Sequence, residues 1–262
     1  MAIVGGILLI VGVVLFFVRL RKLKRLACIR SARLSTADDI KQISSAVAKD
    51  IGPGSWQDYV KVYGKITCDA PIHSQVKGAD CVYYKTKVTR EYEEIVTRKD
   101  DNGKTVRETK RESEVVSQDS HSTAFWIADA TGRIRVNPRD ADIETIEILS
   151  EFRPERQRSS NISFGGFSFS TKHSSNGRTL GYKYEESILP LGHEALVIGM
   201  ATDIASQLAI RKPGDNKQQF IVSLKTEGEL TKRVSGHAQQ VFYAMLCCLG
   251  IGTALVAADL FS

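Results

Sequence analysis

The chain has 262 residues, of which 42% are hydrophobic and 25% are charged, and this length suffices for one or two domains with a core. The net charge is +6, but residues 19–33 alone carry seven basic side chains and no acidic one, which leaves −1 for the rest. The positive charge is therefore local. Nucleic-acid binding, which needs a basic surface across a whole domain, is excluded.

Both ends of the chain contain a long apolar stretch. Met1–Val18 and Val241–Ala258 have no charged side chain and no polar stripe, unlike a core helix of a soluble protein. As a helix each would be about 27 Å long, enough for a bilayer core. A cleaved signal peptide is the alternative for the first stretch, but its basic residues follow the apolar run instead of preceding it. The sequence predicts transmembrane helices at 1–18 and 241–258.

The charges beside these stretches predict the orientation. Residues 19–35 form a basic juxtamembrane arm, whereas only Asp259 follows the second stretch. The positive-inside rule places the middle of the chain on the cytoplasmic side, or the equivalent side in an organelle, with both termini outside. We expect the arm to contact anionic lipid headgroups. The alternative is that the arm only sets the topology. The residues expected at the membrane surface are Arg19, Arg21, Lys22, Lys24 and Arg25.

An amphipathic helix is predicted within residues 36–54. Thr36 is a capping residue followed by two acids, and apolar residues then recur at helical spacing until Gly52-Pro53-Gly54 ends the run. The helix should span Thr36–Ile51 and pack on the following domain. A helix lying on the membrane is the alternative.

Residues 55–236 change to a period of two and are rich in β-forming residues. About eight strands with irregular spacing, and a small residue at Gly64, favour a single mainly-β domain. We expect a partly open β-barrel of OB type. Strands are predicted at 59–66, 81–96, 104–117, 122–128, 133–136, 179–189, 195–201, 207–210 and 220–224.

Within this region, residues 81–117 predict a long hairpin around the turn Asp100-Asp101-Asn102-Gly103. Lys85–Glu114 contains nine basic and eight acidic residues, so both faces cannot be core. A solvated hairpin is the simpler interpretation, and a partner-docking surface is the alternative. The residues proposed for that surface are Arg90, Glu91, Tyr92, Glu93, Glu94, Arg107 and Arg111.

The stretch 154–178 is rich in Ser and Gly and predicts a flexible insertion. Its Phe164-Gly165-Gly166-Phe167 does not follow a phosphate-loop pattern, so no nucleotide is assigned to it. Contact of its aromatic residues with a membrane or partner is the alternative to a plain loop.

No catalytic, metal or cofactor site is predicted. The five cysteines form no C-x-x-C, the five histidines are scattered, and no nucleophile elbow, H-E-x-x-H or dinucleotide motif is present. Glu93-Glu94 and Glu185-Glu186 are adjacent pairs, which point to opposite faces of a strand and so form no dyad. Glycines in the apolar ends allow the two helices to pack together or against another copy, which leaves a homo-oligomer open.

Four segments resemble the GIDE domain. They are Tyr59–Glu94, Phe125–Glu144 (FWIADATGRIRVNPRDADIE), Arg178–Gly199 and Leu208–Pro213. This family includes membrane-embedded ubiquitin ligases of mitochondria and the chloroplast envelope, whose domain lies between two transmembrane helices. A RING finger follows the second helix. Short members without a RING are typical of cyanobacteria and other prokaryotes, and the chain is similar to these.

The resemblance implies the architecture but no catalytic residues. A RING needs eight Cys/His ligands for two zinc ions, and the four residues after 258 do not supply them. We therefore expect a membrane-anchored adaptor or scaffold that binds an unidentified protein and is not itself an enzyme. The alternative is a component of a ubiquitin-transfer or other membrane quality-control system whose catalysis is supplied in trans.

Overall fold

The computed structural model describes residues 2–99, 104–155, 161–164, 167–170, 177–204, 207–215 and 217–260. This part of the chain is mainly β, with helices α1 (Ala2–Ser31), α2 (Ala37–Asp50) and α3 (Glu227–Leu260). The strands are β1 (Arg33–Leu34), β2 (Gln57–Thr67), β3 (Ile72–His73), β4 (Asp80–Lys99), β5 (Thr105–Ser122), β6 (Phe125–Asp129), β7 (Gly132–Val136), β8 (Asp142–Ile143), β9 (Ile146–Pro154), β10 (Asn161–Phe164), β11 (Phe167–Ser170), β12 (Arg178–Pro190), β13 (Glu194–Thr202), β14 (Ala209–Arg211) and β15 (Ile221–Ser223).

The chain divides into two compact units. The barrel unit comprises the described parts of Met1–Lys65, Ile127–Asp142 and Glu194–Ser262, and the hairpin unit comprises those of Ile66–Trp126 and Ile143–His193. The hairpin unit thus consists of two insertions into the sequence of the barrel unit. The sequence prediction did not separate them.

The barrel unit contains a closed five-stranded barrel. Strands β2, β6, β7, β14 and β13 are neighbours in that order, and β13 pairs back with β2 to close the ring. The OB-type barrel prediction is therefore confirmed, and the ring is closed where the prediction left it partly open. Gly64 is required in it, because a Cβ there would lie 2.5 Å from the carbonyl oxygen of Ala128 on β6.

The hairpin unit is built on one antiparallel sheet. Strand β4 pairs with β5 along the whole hairpin and with β12 on its other side, and β12 pairs with β9. The two hairpin strands begin at Asp80 and end at Ser122, so they include the predicted range 81–117. The predicted turn at 100–103 lies outside the described residues. Strand β9 was missed, although Ile146, Ile148 and Phe152 show period-two spacing.

The stretch 154–178 is not only a loop. Its described part forms a two-stranded antiparallel ladder, in which Asn161 pairs with Ser170 and Phe164 with Phe167. The sequence analysis predicted a flexible insertion here and did not predict these two strands. The sequence signal was the alternation of Ser with Ile or Phe on both sides of Gly165-Gly166, a turn pair that favours hairpins. The rest of the stretch lies outside the described residues.

Helices α1 and α3 are long, apolar and packed antiparallel against each other. Both are long and apolar enough to cross a membrane. A Cβ on Gly5 would lie 2.9 Å from the carbonyl oxygen of Gly252, and one on Gly12 would lie 2.6 Å from Leu249. These glycines therefore permit the close approach of the two helices. Gly6 has no atom within 4 Å of such a Cβ and takes no part in it.

Helix α2 begins as its sequence predicts. Thr36 and Asp39 form a capping box, in which each side chain accepts a hydrogen bond from the other residue's backbone N–H. The buried side of α2 contains Ala37 and Ile40. At the same end, Asp129 on β6 accepts a hydrogen bond of 2.8 Å from the backbone N–H of Ala37, so α2 is attached to the barrel by its first turn.

This attachment should weaken in acid. Burial opposes ionisation of Asp129, but hydrogen bonds from Thr131, Ala37 and Gly132 outweigh it and lower the pKa below the usual 3.8. The carboxylate stabilises the fold above pH 3.8, and its contribution is lost as the pH falls through the lowered pKa.

We expect amides of α2 to exchange faster with solvent below pH 3.8 in the parent chain, relative to their exchange at neutral pH and after correction for intrinsic rates. Asp129→Asn should exchange faster already at pH 7 and show a smaller further change, which comes from the capping carboxylate of Asp39, whose pKa is also lowered by its hydrogen bonds with Thr36. Hydrogen exchange with mass spectrometry measures both. Equal pH dependence in the two chains would contradict the role of Asp129.

Candidate interaction surfaces

The two long helices continue well past their apolar parts. Helix α1 extends through residues 19–31 and α3 begins fourteen residues before 241, so each adds about 20 Å of helix. We call residues 19–31 and 227–240 the stalk. Residues 19–31 were predicted as an arm distinct from the apolar helix, whereas they continue α1. The reason is that Leu26 and Ile29 are buried at helical spacing.

The inner side of the stalk is part of the core of the barrel unit. Leu26 and Ile29 of α1 cluster with Leu230 and Val234 of α3. Barrel residues complete the same cluster, namely Tyr59, Leu196, Ile198 and Ile221. The helices are therefore packed onto the barrel directly, without a flexible linker between them.

A buried lysine joins the barrel to both helices. Lys61 of β2 is 7% exposed, and its ammonium lies 2.5 Å from Glu227 Oε1 at the start of α3. The same ammonium donates to the carbonyl oxygen of Ile29 in α1 at 3.4 Å. Sequence reasoning placed Lys61 only as one position in an alternating strand. Nothing in the strand pattern signals that it meets two helix ends.

The predicted membrane-surface residues lie on the stalk in two settings. Arg21 and Lys24 are exposed, and Lys22 is half-buried. Arg19 lies with its guanidinium 4.2 Å from the ring centroid of Phe242 on α3, a cation–π contact. Arg25 forms an ion pair of 2.5 Å with Asp142. Of the five predicted residues, Arg21 and Lys24 thus present the most exposed positive charge.

The predicted partner residues of the hairpin do not form one surface. Directly paired residues in an antiparallel ladder share a face, and neighbours along a strand alternate. Glu91, Glu93, Arg107 and Arg111 therefore share one face of the hairpin, which we call the outer face. The opposite face carries Arg90, Tyr92 and Glu94.

The outer face carries exposed charged and aliphatic side chains. Arg111 Nε donates to Glu93 Oε1 at 3.2 Å, yet the Arg111 side chain is 79% exposed. Ile95 follows Glu93 on this face and is 67% exposed. A shallow cavity of about 260 Å³ adjoins these residues and is lined by Glu91, Arg111 and Leu180, among others. The face thus combines an exposed aliphatic side chain with charges of both signs.

Part of the opposite face is buried within the hairpin unit. Arg90 is 6% exposed, and its guanidinium donates to Glu114 at 2.7 Å and to Thr179 at 2.8 Å. It also lies 4.7 Å from the ring centroid of Tyr92. A residue proposed for partner contact is thus buried inside the hairpin unit, where it organises β4, β5 and β12.

The two adjacent glutamates of β12 lie on opposite faces, as strand geometry predicts. Glu185 is paired with Lys87 and Lys183 on the solvent side, and the hydrogen bond from Lys183 lowers its pKa. Glu186 is fully buried, and its carboxylate accepts hydrogen bonds from Ser74 Oγ and from the backbone N–H groups of Val76 and Lys77. Each carboxylate thus has its own structural role.

Metal-ligating side chains do not cluster in the described part of the chain. No group of three or more His, Cys, Asp or Glu side chains there could hold a metal ion. The thiols there are free. Cys68 is half-buried, whereas Cys28 and Cys81 are buried.

The two cysteines of the hairpin unit should differ in reactivity. Burial, followed by the charge of Glu186, raises the pKa of Cys81 to about 11, so only about one in a thousand molecules carries the thiolate at pH 8. We expect maleimide to modify Cys68 in the folded chain and Cys81 only after denaturation. Peptide mass spectrometry measures both. Equal modification of both thiols in the folded chain would contradict the burial of Cys81.

The closed barrel, the stalk and the two apolar helices define a class of protein: a β domain between two helices that can cross a membrane. The model of the GIDE family, described as E3 ubiquitin ligase, matches residues 93–257, which is more than half of the chain. The chain belongs to the GIDE family. No curated protein and no solved structure matches the chain.

The family match includes three of the four segments on which the resemblance was based. Phe125–Glu144, Arg178–Gly199 and Leu208–Pro213 lie inside it. Tyr59–Glu94 precedes it except for its last two residues. The match also includes β5 with Arg107 and the larger part of α3.

Proposed function

We propose that this GIDE-family chain is an integral membrane protein that crosses the bilayer twice and holds its β region on the cytoplasmic side as an interaction module. The outer face of the hairpin is proposed as its docking surface for a protein partner. The proposal rests on the apolar residues of this face, since Ile95 and Val115 are 67% and 54% exposed among its charges.

The anchoring part of the proposal is supported by the two helices. Each is apolar enough to span a membrane, and their apolar parts pack through glycine, as transmembrane helices commonly do. The basic residues of the stalk lie at one end of the apolar parts only. By the positive-inside rule that end is cytoplasmic, which supports the proposed side.

Cys68 provides the test of sidedness. A membrane-impermeant maleimide should leave Cys68 unmodified in intact cells and modify it after permeabilisation of the plasma membrane, if the chain resides in that membrane. Resistance of the chain to extraction by alkaline carbonate should accompany this result. Labelling in intact cells would reject the proposed side, and release by carbonate would reject the anchoring.

The docking part is supported by the arrangement of the outer face. Glu93 and Arg111 pair across the strands, so charges of both signs lie beside Ile95 on the outer face. Such a surface suits a partner that has an apolar contact residue flanked by one acidic and one basic side chain. A surface of this kind gains affinity from the apolar centre and selectivity from the charges.

Crosslinking in native membranes tests the docking surface with two adjacent substitutions. Ile95→Asp changes the outer face, and Val96→Asp changes the opposite face at a position that is also exposed, at 40%. We expect a reproducible crosslinked partner in the parent chain and in Val96→Asp, and its loss in Ile95→Asp. Absence of a partner, or an equal response of the two variants, would reject the outer face as the docking surface.

The family description supports a second candidate function, namely a component of ubiquitin transfer whose catalysis is supplied in trans. Here the β region would position a substrate for a separate RING protein. Reconstituted ubiquitin transfer to a bound substrate should then depend on this chain and fail with Ile95→Asp. Transfer that proceeds equally without the chain would reject this function.

A further inference from the structure

The barrel unit has an open polar pocket of about 310 Å³ beside the stalk. Three segments of the chain line it: α1, the β7–β8 connection and the segment between β14 and β15. The side chains that matter for its chemistry are Arg25, Asp140, Asp142, Lys212, Asp215 and Gln218. Charges of both signs therefore converge on one pocket.

The internal pairing of these charges is incomplete. Arg25 Nη1 and Asp142 are 2.5 Å apart, but the nearest contact of Lys212 Nζ with Asp140 is 3.5 Å. Both side chains of the second pair are more than half exposed, at 56% and 60%. An exposed pair at this distance contributes little and separates readily. Lys212 and Asp140 are thus available to an incoming charged group.

Two further features of the pocket are unfavourable for folding, namely unsatisfied polar atoms and a positive backbone φ. Arg25 Nε and Gln218 Oε1 are buried without a hydrogen-bond partner among the described residues. Asp140 has a φ of +63°, and it is the only non-glycine residue of the described chain in that left-handed region. Strained backbone and unsatisfied polar atoms concentrate at binding sites more than elsewhere.

The position of Arg25 relates the pocket to the membrane. Arg25 follows the apolar part of α1 by seven residues, or about 10 Å of helix. The headgroup layer of one leaflet is about 5–8 Å thick. Given the proposed anchoring, on which this inference rests, Arg25 and the pocket lie close to the aqueous edge of the headgroup layer.

We propose that this pocket binds the phosphoethanolamine headgroup of a membrane phospholipid. Arg25 and Lys212 supply positive charge for the phosphate, and Asp140 and Asp215 supply carboxylates for the ammonium. Three N–H donors on the ammonium match these acceptors. A choline headgroup has no N–H and is bound through exposed aromatic faces, whereas Phe220, the aromatic residue of the pocket, is only 4% exposed.

Lipid retention by the purified full chain tests this proposal. The chain in maltoside micelles is incubated with equal amounts of phosphatidylethanolamine, phosphatidylcholine and phosphatidylglycerol with identical acyl chains, and native mass spectrometry counts the bound lipids. We expect phosphatidylethanolamine to exceed each of the others by roughly tenfold, a difference that one charge-assisted hydrogen bond can supply. Soluble glycerophosphoethanolamine should displace it, and inorganic phosphate should not.

Three variants assign the preference to the pocket. Asp140→Gly removes a carboxylate that binds the ammonium and tolerates the positive φ, so it should lower the preference for phosphatidylethanolamine roughly tenfold. Lys212→Gln removes a charge that binds the phosphate, which all three lipids share, so it should lower the binding of each of them roughly tenfold. Lys217→Gln changes an exposed lysine of the same segment that does not line the pocket and should leave the preference unchanged.

Three results would overturn the proposal while leaving the anchoring intact. They are a preference for phosphatidylglycerol, which would indicate attraction to the basic stalk alone, displacement by inorganic phosphate, and an unchanged preference in Asp140→Gly together with unchanged lipid binding in Lys212→Gln. Failure of the anchoring is a separate result, namely release of the chain by carbonate. The two failures are therefore distinguishable.

Discussion

Glu186→Gln is expected to destabilise the hairpin unit by about 2–3 kcal/mol, because it places an amide N–H₂ among groups that all donate hydrogen bonds. One carboxylate oxygen accepts from the backbone N–H of Val76 at 2.7 Å, and the other from that of Lys77 at 2.9 Å. Hydroxyls of Ser74 and Thr86 complete the set at 3.1 and 3.4 Å. An amide can satisfy only one side of this arrangement.

The effect should be local before it is global. The backbone between β3 and β4 is attached to β12 through these two N–H groups, so their exchange with solvent reports the attachment. A loss of about 2 kcal/mol corresponds to roughly thirtyfold faster exchange of peptides that contain Val76 and Lys77. Hydrogen exchange of the full chain in detergent measures this.

Glu185→Gln is the matched control. Glu185 is the neighbouring residue on the same strand, but its carboxylate is paired with Lys87 and Lys183 on the solvent side. Loss of such a surface pair costs about 0–1 kcal/mol. Unchanged exchange at Val76 and Lys77 in Glu186→Gln, or an equal change in both variants, would show that the buried carboxylate does not hold this connection.

The sequence predicts which residues of a strand share a face, but it does not predict which of the two faces is buried. Alternation already implied that Glu185 and Glu186 lie on opposite faces, and likewise Glu93 and Glu94. Which face is buried depends on the neighbouring strands, and β9 was not recognised. Arg90 was grouped with exposed partner residues because strand spacing does not show which face is covered, whereas its guanidinium donates to Glu114 of β5 and Thr179 of β12.

Short sequence patterns at the ends of an element predicted its first and last residues accurately in the case of α2. The capping pattern at Thr36 and the glycines after Ile51 predicted α2 to within one residue at each end. Hydropathy found the two long helices but not their limits, because it detects apolar composition and not helical structure. The stalk part of α1 is amphipathic, and its apolar face packs on the barrel through Leu26 and Ile29. These two residues are surrounded in the sequence by basic residues, so hydropathy did not indicate that the helix continues through them.

The division into two units was not predictable from composition. The chain leaves the barrel unit after Lys65 and again after Asp142, and each time returns to it. No run of Gly, Pro or Ser marks these points, since strands β2, β6 and β8 continue through them. The closure of the barrel likewise depends on the pairing of β13 with β2, which are more than a hundred residues apart.

Lys61→Met is expected to lower the stability of the barrel unit by about 2–3 kcal/mol, because it leaves Glu227 and the carbonyl oxygen of Ile29 without their shared donor. Loss of one partner from a fully buried ion pair costs about 3–5 kcal/mol. The Glu227 side chain is 38% exposed and recovers part of its hydration, so the lower figure applies.

The substitution should loosen the stalk more than the apolar parts of the helices. We expect a thermal midpoint roughly 4–8 °C lower for the full chain in detergent, with faster exchange in the first turns of α3. Lys61→Met combined with Glu227→Leu should recover part of the loss, since the double variant no longer has an unpaired charge. An unchanged midpoint in Lys61→Met, or no recovery in the double variant, would show that the stalk is held by apolar packing alone.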